Sequence, residues 1–110
     1  MTNLSLDFVS VSPQNNEKIQ KAIILLHGYG GDGKDINMLS YNWIRHLNNT
    51  IIICPNAHEK CYINPIGYQW FDLSNPDEKY ILKESLKAEE KLNYFIDEIK
   101  KKYELYNKDI

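Results

Sequence analysis

Four of the chain's five glycines fall inside one six-residue stretch, Gly28-Tyr29-Gly30-Gly31-Asp32-Gly33. The stretch follows His27 and the apolar run Ala22-Ile23-Ile24-Leu25-Leu26. A short run that is apolar at every position suits a strand covered on both faces, as in a sheet with crossover helices. Glycines gathered at its end mark a backbone that bends sharply, or is approached too closely for a Cβ. The rest of the fold has to be arranged around that strand and loop.

Upstream, Leu4, Leu6, Phe8, Val9 and Val11 alternate loosely up to Ser12-Pro13, which predicts a half-buried strand near a sheet edge. Gln14 to Lys18 is a polar turn. Downstream, Asp35 is the expected N-cap of a helix whose apolar face is Ile36, Leu39, Trp43, Ile44 and Leu47. Trp43 is expected in the core with Leu39 and Leu47. Asn48-Asn49 ends that helix, and Thr50-Ile51-Ile52-Ile53-Cys54 is a second buried strand stopped by Pro55. A long irregular loop, 55–76, carries Pro65, Gly67 and the aromatic cluster Tyr68, Trp70 and Phe71. Ile81, Leu82, Leu86, Ala88, Leu92, Phe95, Ile96, Ile99 and Tyr103 then mark a long amphipathic helix over about 79–105. Lys100-Lys101-Lys102 near its end suits the helix dipole.

Strand, strand, glycine loop, helix, strand, loop, helix is the order of an α/β sheet with crossover helices. At 110 residues the chain has room for one small domain. The α/β pattern calls for another strand after the last helix, and its lack before Ile110 is the expected mark of a partial domain. A 43% hydrophobic content argues against wholesale disorder. A net charge of -2, with Arg45 the single arginine, leaves no basic footprint for nucleic acid. No apolar run approaches the ~18–20 residues of a membrane span. Met1-Thr2-Asn3-Leu4-Ser5 lacks the charged and apolar regions of a signal peptide. With two cysteines and no export signal, a reducing cytoplasmic setting is expected.

The glycine loop fits two nucleotide motifs on paper. Gly28-x-Gly30-x-x-Gly33 follows a strand and opens a helix, as a dinucleotide fingerprint does. The ribose-binding acid that should end the next strand is missing from Ile53-Cys54-Pro55-Asn56, and Asp32 would face the pyrophosphate. Gly28-x-x-x-x-Gly33-Lys34 matches most of a P-loop, but Asp35 stands where a Ser or Thr must hold Mg²⁺. A third reading needs no phosphate. His27-Gly28 straight after a buried strand is the arrangement that turns a backbone N–H toward a developing oxyanion in acyl-transfer enzymes. One such donor is worth ~3–4 kcal/mol of transition-state stabilisation.

Leu25-Leu26-His27-Gly28-Tyr29-Gly30-Gly31-Asp32-Gly33 resembles the opening loop of the phospholipase/carboxylesterase family, which includes the acyl-protein thioesterases. Cys54-Pro55-Asn56-Ala57, Asn64-Pro65 and Gly67-Tyr68-Gln69-Trp70-Phe71-Asp72 resemble a second, separate part of the same family in the same order. The resemblance implies the N-terminal part of an α/β-hydrolase three-layer sandwich, ending before the nucleophile strand. It implies that Tyr29 offers a backbone N–H to the oxyanion, with Gly28 and Gly30 beside the substrate. His27 would brace the loop, and Trp70 and Phe71 would wall the cleft. The implied chemistry is hydrolysis of a small ester or thioester through a serine acyl-enzyme.

The family's nucleophile lies in G-x-S-x-G, and no such motif occurs here. The six serines, Ser5, Ser10, Ser12, Ser40, Ser74 and Ser85, all lie outside any glycine-flanked elbow. Cys54 at a strand end is expected to be a buried structural thiol. His58 and Cys61 offer two ligands where tetrahedral zinc needs more, so neither a metal nor a cofactor is expected. His46 favours a helix dipole. The expectation is half an active site, inactive alone and open to a complementing fragment along an unpaired sheet edge. The alternative is a non-catalytic module that binds an acyl ligand or partner through Tyr68 to Phe71.

Overall fold

The computed structural model describes residues 3–110; Met1 and Thr2, the start of the signal-peptide reading, lie outside them. Strand β3 (Thr50–Pro55) is central and buried at all six positions. β1 (Phe8–Val11) pairs with it antiparallel, from Phe8 opposite Pro55 to Val11 opposite Ile52. β2 (Lys21–Ile24) pairs on its other side, parallel, from Lys21 opposite Thr50 to Ile24 opposite Ile53. The order is β1-β3-β2, so the outer edge of β2 has no strand beside it among the described residues.

The period of two along β3 divides the core into two layers. Ile51 and Ile53 face Phe95 and Ile99 of helix α3 (Glu78–Tyr103), together with Leu6, Ala22 and Leu105. Phe8 meets Phe95 edge to face, with ring centroids 5.7 Å apart. Ile52 and Cys54 face the opposite way, onto Ile44, Ile36 and Leu47. The result is helix, sheet, helix: the three layers of an α/β-hydrolase sandwich, in its N-terminal portion.

α3 has 26 residues and is about 39 Å long, roughly twice the reach of a six-residue strand. Its first turns overhang the sheet, which leaves Leu82 63% exposed although it belongs to the apolar series. Glu104, in the left-handed conformation, ends the helix, and the Leu105 N–H returns to the Lys100 carbonyl at 2.9 Å.

Four expectations are corrected. The segment after the glycine loop is not one helix but α1 (Gly33–Ile36), α2 (Met38–Trp43) and a 3₁₀ turn over Ile44–His46. Its N-cap is Asp32, in extended backbone, whose carboxylate accepts the Asp35 N–H at 2.8 Å. Trp43 is 42% exposed, and Leu39 44%. The buried residues are Gly33, Asn37, Ser40 and Ile44, a helical stripe of mostly small or polar side chains. Close approach explains the choice, because a Cβ on Gly33 would run into the Cys54 carbonyl. The polar members are satisfied inside: the Cys54 thiol donates to Asn37 Oδ1 at 3.5 Å, and Ser40 Oγ lies 3.8 Å from Cys54 Sγ. Finally, the 55–76 loop is not wholly irregular. It holds a small hairpin of β4 (Glu59–Lys60) and β5 (Tyr68–Gln69).

Candidate functional site

The loop His27–Gly33 leaves the carboxyl end of β2, where open α/β sheets carry their sites. The β4–β5 hairpin is laced to it. Gly30, with φ of 80°, donates its N–H to the Tyr68 carbonyl at 2.9 Å, and Tyr68 N–H returns to the Gly31 carbonyl at 2.8 Å. The Asn64 amide donates to the Gly30 carbonyl at 2.7 Å, and Gly67 N–H donates to the Asn64 carbonyl at 2.8 Å. A Cβ on Gly67 would run into the Gly30 carbonyl, so only glycine fits at this crossing. From the strand side, Asn56 Oδ1 accepts the Gly33 N–H at 2.7 Å.

These bonds answer the nucleotide readings. The N–H groups of Gly30, Gly31, Gly33 and Asp35 all have acceptors within the protein. They do not form the outward-facing nest a phosphate requires. Tyr29 differs: among the described residues its N–H makes no hydrogen bond. Beside it, a Cβ on Gly28 would meet nothing within 4 Å. The N–H groups of Gly28, Asp32 and Lys34 are also without an acceptor among the described residues, and that of Tyr29 stands next to the clear space at Gly28.

The side chains named from sequence are placed as follows. His27 is buried, with Nε2 accepting the Ala57 N–H at 2.9 Å and Nδ1 lying 2.6 Å from the Gly28 carbonyl. Trp70 stacks on the His27 ring at 5.4 Å and donates its indole N–H to the His27 carbonyl at 3.0 Å. Trp70 also packs against the main core, so its ring props the loop from beneath. Phe71 is half-buried. Gly30 is fixed by the hairpin on both its N–H and its carbonyl.

The Tyr29 hydroxyl donates to Asp72 Oδ1 at 3.1 Å, an atom that also accepts Ser74 Oγ at 2.6 Å and Ser74 N–H at 3.0 Å. The Ser74 bonds, joined by Tyr29, hold the Asp72 carboxyl below its usual range. Burial, then the Asp72 carboxylate, then Cys61, push the Tyr29 phenol up to about 12. The Ser74 hydroxyl is thus spent on a carboxylate, not an imidazole. Burial also raises the Cys54 thiol, as expected of a structural cysteine. Asn56, Asn64, Gly67 and Asp72 lie in the motif segments, but sequence reasoning gave them no role. The one signal was Gly67, the single glycine outside the cluster.

Two depressions border this frame. A cleft of about 990 Å³ between α3 and the β4 region is lined by Asp7, His58, Glu59, Lys87 and Tyr94, and none of the 27–33 loop reaches it. A smaller groove of about 320 Å³ runs along the free edge of β2, walled by Ile23, Ile24, Leu26, Leu92, Ile96 and Ile110.

A three-layer sandwich with a histidine-glycine turn at the carboxyl end of a parallel strand defines an α/β hydrolase. The chain matches the phospholipase/carboxylesterase family over residues 8–110 and belongs to it. The crystal structure of esterase PE8 superposes with a TM-score of 0.85 at 29% identity, over 94% of this chain. The chain spans 49% of the length of that esterase. No helix among the described residues is long and apolar enough to cross a membrane.

Proposed function

We propose that this chain is the oxyanion-donating half of an ester or thioester hydrolase and is inactive without a nucleophile-bearing segment. The open Tyr29 N–H beside Gly28 carries the reading. An amide fixed at the mouth of a strand stabilises a carbonyl oxygen as it becomes an oxyanion, and it needs no reorganisation to do so. Gly28 admits the substrate, and Gly30 keeps the loop curled. Phe71 and the exposed margin of Trp70, which line neither of the two depressions described above, wall a cleft for a small ester or thioester that the completing segment closes. Serine, histidine and acid come from the completing segment, whether that is a continuation of the chain or a separate fragment. The reaction is then acyl transfer to that serine and release by water.

The topology supports a particular seat for the completing strand. The β2-to-β3 crossover passes through α1 and α2 on one face, whereas α3 lies on the other. For both crossovers to be right-handed, a parallel strand after α3 must step back past β3 and β2. That puts it on the free edge of β2, along the apolar groove where Ile110 lies. A glycine-flanked serine after such a strand falls next to Tyr29.

The test is hydrolysis of a short-chain nitrophenyl ester. The purified 110-residue chain should show no turnover above buffer, and mixing or joining it with a strand-and-G-x-S-x-G segment should create activity. Turnover by the chain alone, free of contaminants, would overturn the inactivity. A completed enzyme without esterase or thioesterase activity would overturn the reading itself.

A further inference from the structure

We propose that His27, carrying its proton on Nδ1, is the positioning residue that aims the Tyr29 N–H out of the loop. The use of that N–H rests on the oxyanion reading above, but the geometry rests on hydrogen bonds alone. The Ala57 N–H donates to His27 Nε2 at 2.9 Å. A backbone amide can only donate, so Nε2 is bare and the neutral ring holds its proton on Nδ1. Nδ1 lies 2.6 Å from the Gly28 carbonyl, which receives that proton. The same carbonyl accepts the Gly31 N–H at 3.1 Å, so two donors hold it.

The Gly28 carbonyl and the Tyr29 N–H belong to one peptide unit, and in a trans unit they point opposite ways. Fixing the carbonyl inward therefore fixes the N–H outward, toward the clear space beside Gly28. Hydrogen bonds in series also polarise one another. Ala57 N–H to imidazole to Gly28 carbonyl is such a series, and its last member is the peptide that ends in the Tyr29 donor. The ring cannot swing away, because Trp70 stacks on it 24° from parallel and bonds to the His27 carbonyl.

The test is nitrogen NMR on the 110-residue chain, with no turnover needed. Wild type should show a bare Nε2, a protonated Nδ1 and a trans-hydrogen-bond coupling between the Ala57 amide and Nε2. His27→Phe keeps a ring against Trp70 and removes both bonds. It should drop the Tyr29 amide order parameter from about 0.85 to below about 0.6. His27→Asn places a donor near the Nδ1 position and should restore Tyr29 order, while the Ala57 amide signal still shifts. An Nε2-protonated ring, or a Tyr29 amide equally ordered in His27→Phe, would overturn the proposal. So would a His27→Asn variant as disordered at Tyr29 as His27→Phe, since plain bracing predicts that result. If His27→Phe does not fold, the wild-type tautomer and coupling decide. Failure of the completed enzyme to hydrolyse esters would leave this relay standing, and a wrong tautomer would leave the esterase reading standing.

Discussion

Gly28 and Gly67 are both loop glycines near the same site, yet they are held for different reasons. Around Gly67 the Gly30 carbonyl fills the place of a Cβ, and the crossing of hairpin and loop depends on that contact. Gly67→Ala should cost on the order of 1–3 kcal/mol, the usual range for overpacking. Gly28→Ala, with open space and no left-handed φ, should be neutral or gain about 0.4–1 kcal/mol by stiffening the unfolded chain. Urea midpoints at unchanged slope separate the two. His58 makes a second test at this scale. Its two ring nitrogens are buried without a hydrogen bond, and burial, helped by the Lys87 and Lys91 charges, pulls its pKa below 6.5 against the opposing pull of Glu59 and Glu84. Below pH 6.5 the unfolded chain takes up a proton that the folded chain resists. Stability is therefore full above 6.5 and falls as pH drops through the folded value. His58→Asn should flatten that part of a urea-midpoint profile against pH, and an unchanged slope would refute the assignment. Sequence pattern made Tyr29, Gly28 and His27 legible because they sit in one contiguous turn. Asn64, Gly67 and Asp72 act across 30 or more residues, as in the Asn64 bond to Gly30 and the Tyr29 bond to Asp72, and no local pattern announces such partners.

At the scale of elements, β3 and α3 followed from local pattern, and the short helices did not. β2 did so in position but not in burial, since the run read as covered on both faces is an edge strand fully buried only at Ala22. β3 and α3 have one arrangement that buries their apolar residues, so periodicity identifies them. Between β2 and β3, the series Ile36, Leu39, Trp43, Ile44 and Leu47 points to one face, but of these the chain fully buries only Ile44, alongside Gly33, Asn37 and Ser40. Backbone approach decided it, since the loop leaves β2 too close to β3 for a large side chain at Gly33. The cap moved for the same reason. With Gly33 as the first helical residue, Asp32 is the residue whose carboxylate can turn back to the Asp35 N–H. Asp32→Ala should cost about 1 kcal/mol. Asp35→Ala keeps the capped N–H and loses only a charge in the first turn, about 0.3 kcal/mol at low salt. Equal losses in the two variants, read from thermal unfolding, would restore Asp35 as the cap.

For the molecule as a whole, the free edge of β2 governs behaviour in solution. β2 has the central strand on one side and an apolar groove on the other, lined by Ile23, Ile24, Leu26, Leu92 and Ile96. Natural edges are blunted by lysine, proline or bulges. On this one, Lys21 at the start of the strand is the only charge from 21 to 26, and Leu26 at the far end is 44% exposed. An unpaired row of backbone donors and acceptors beside apolar side chains recruits another strand. The 110-residue chain should therefore associate as its concentration rises, with a weight-average mass above 12.9 kDa in sedimentation. Leu26→Lys puts a charge on the edge without touching either core layer and should return the mass toward the monomer. Leu82→Lys is a similar change on the overhanging turns of α3, where the residue is more exposed but has no free strand beside it. It should leave association unchanged. If Leu82→Lys dissolves the assembly and Leu26→Lys does not, the overhang of α3 is the sticky surface. The strand seat beside β2 would then lose its support, because an edge that recruits nothing in isolation offers a completing strand little to bind.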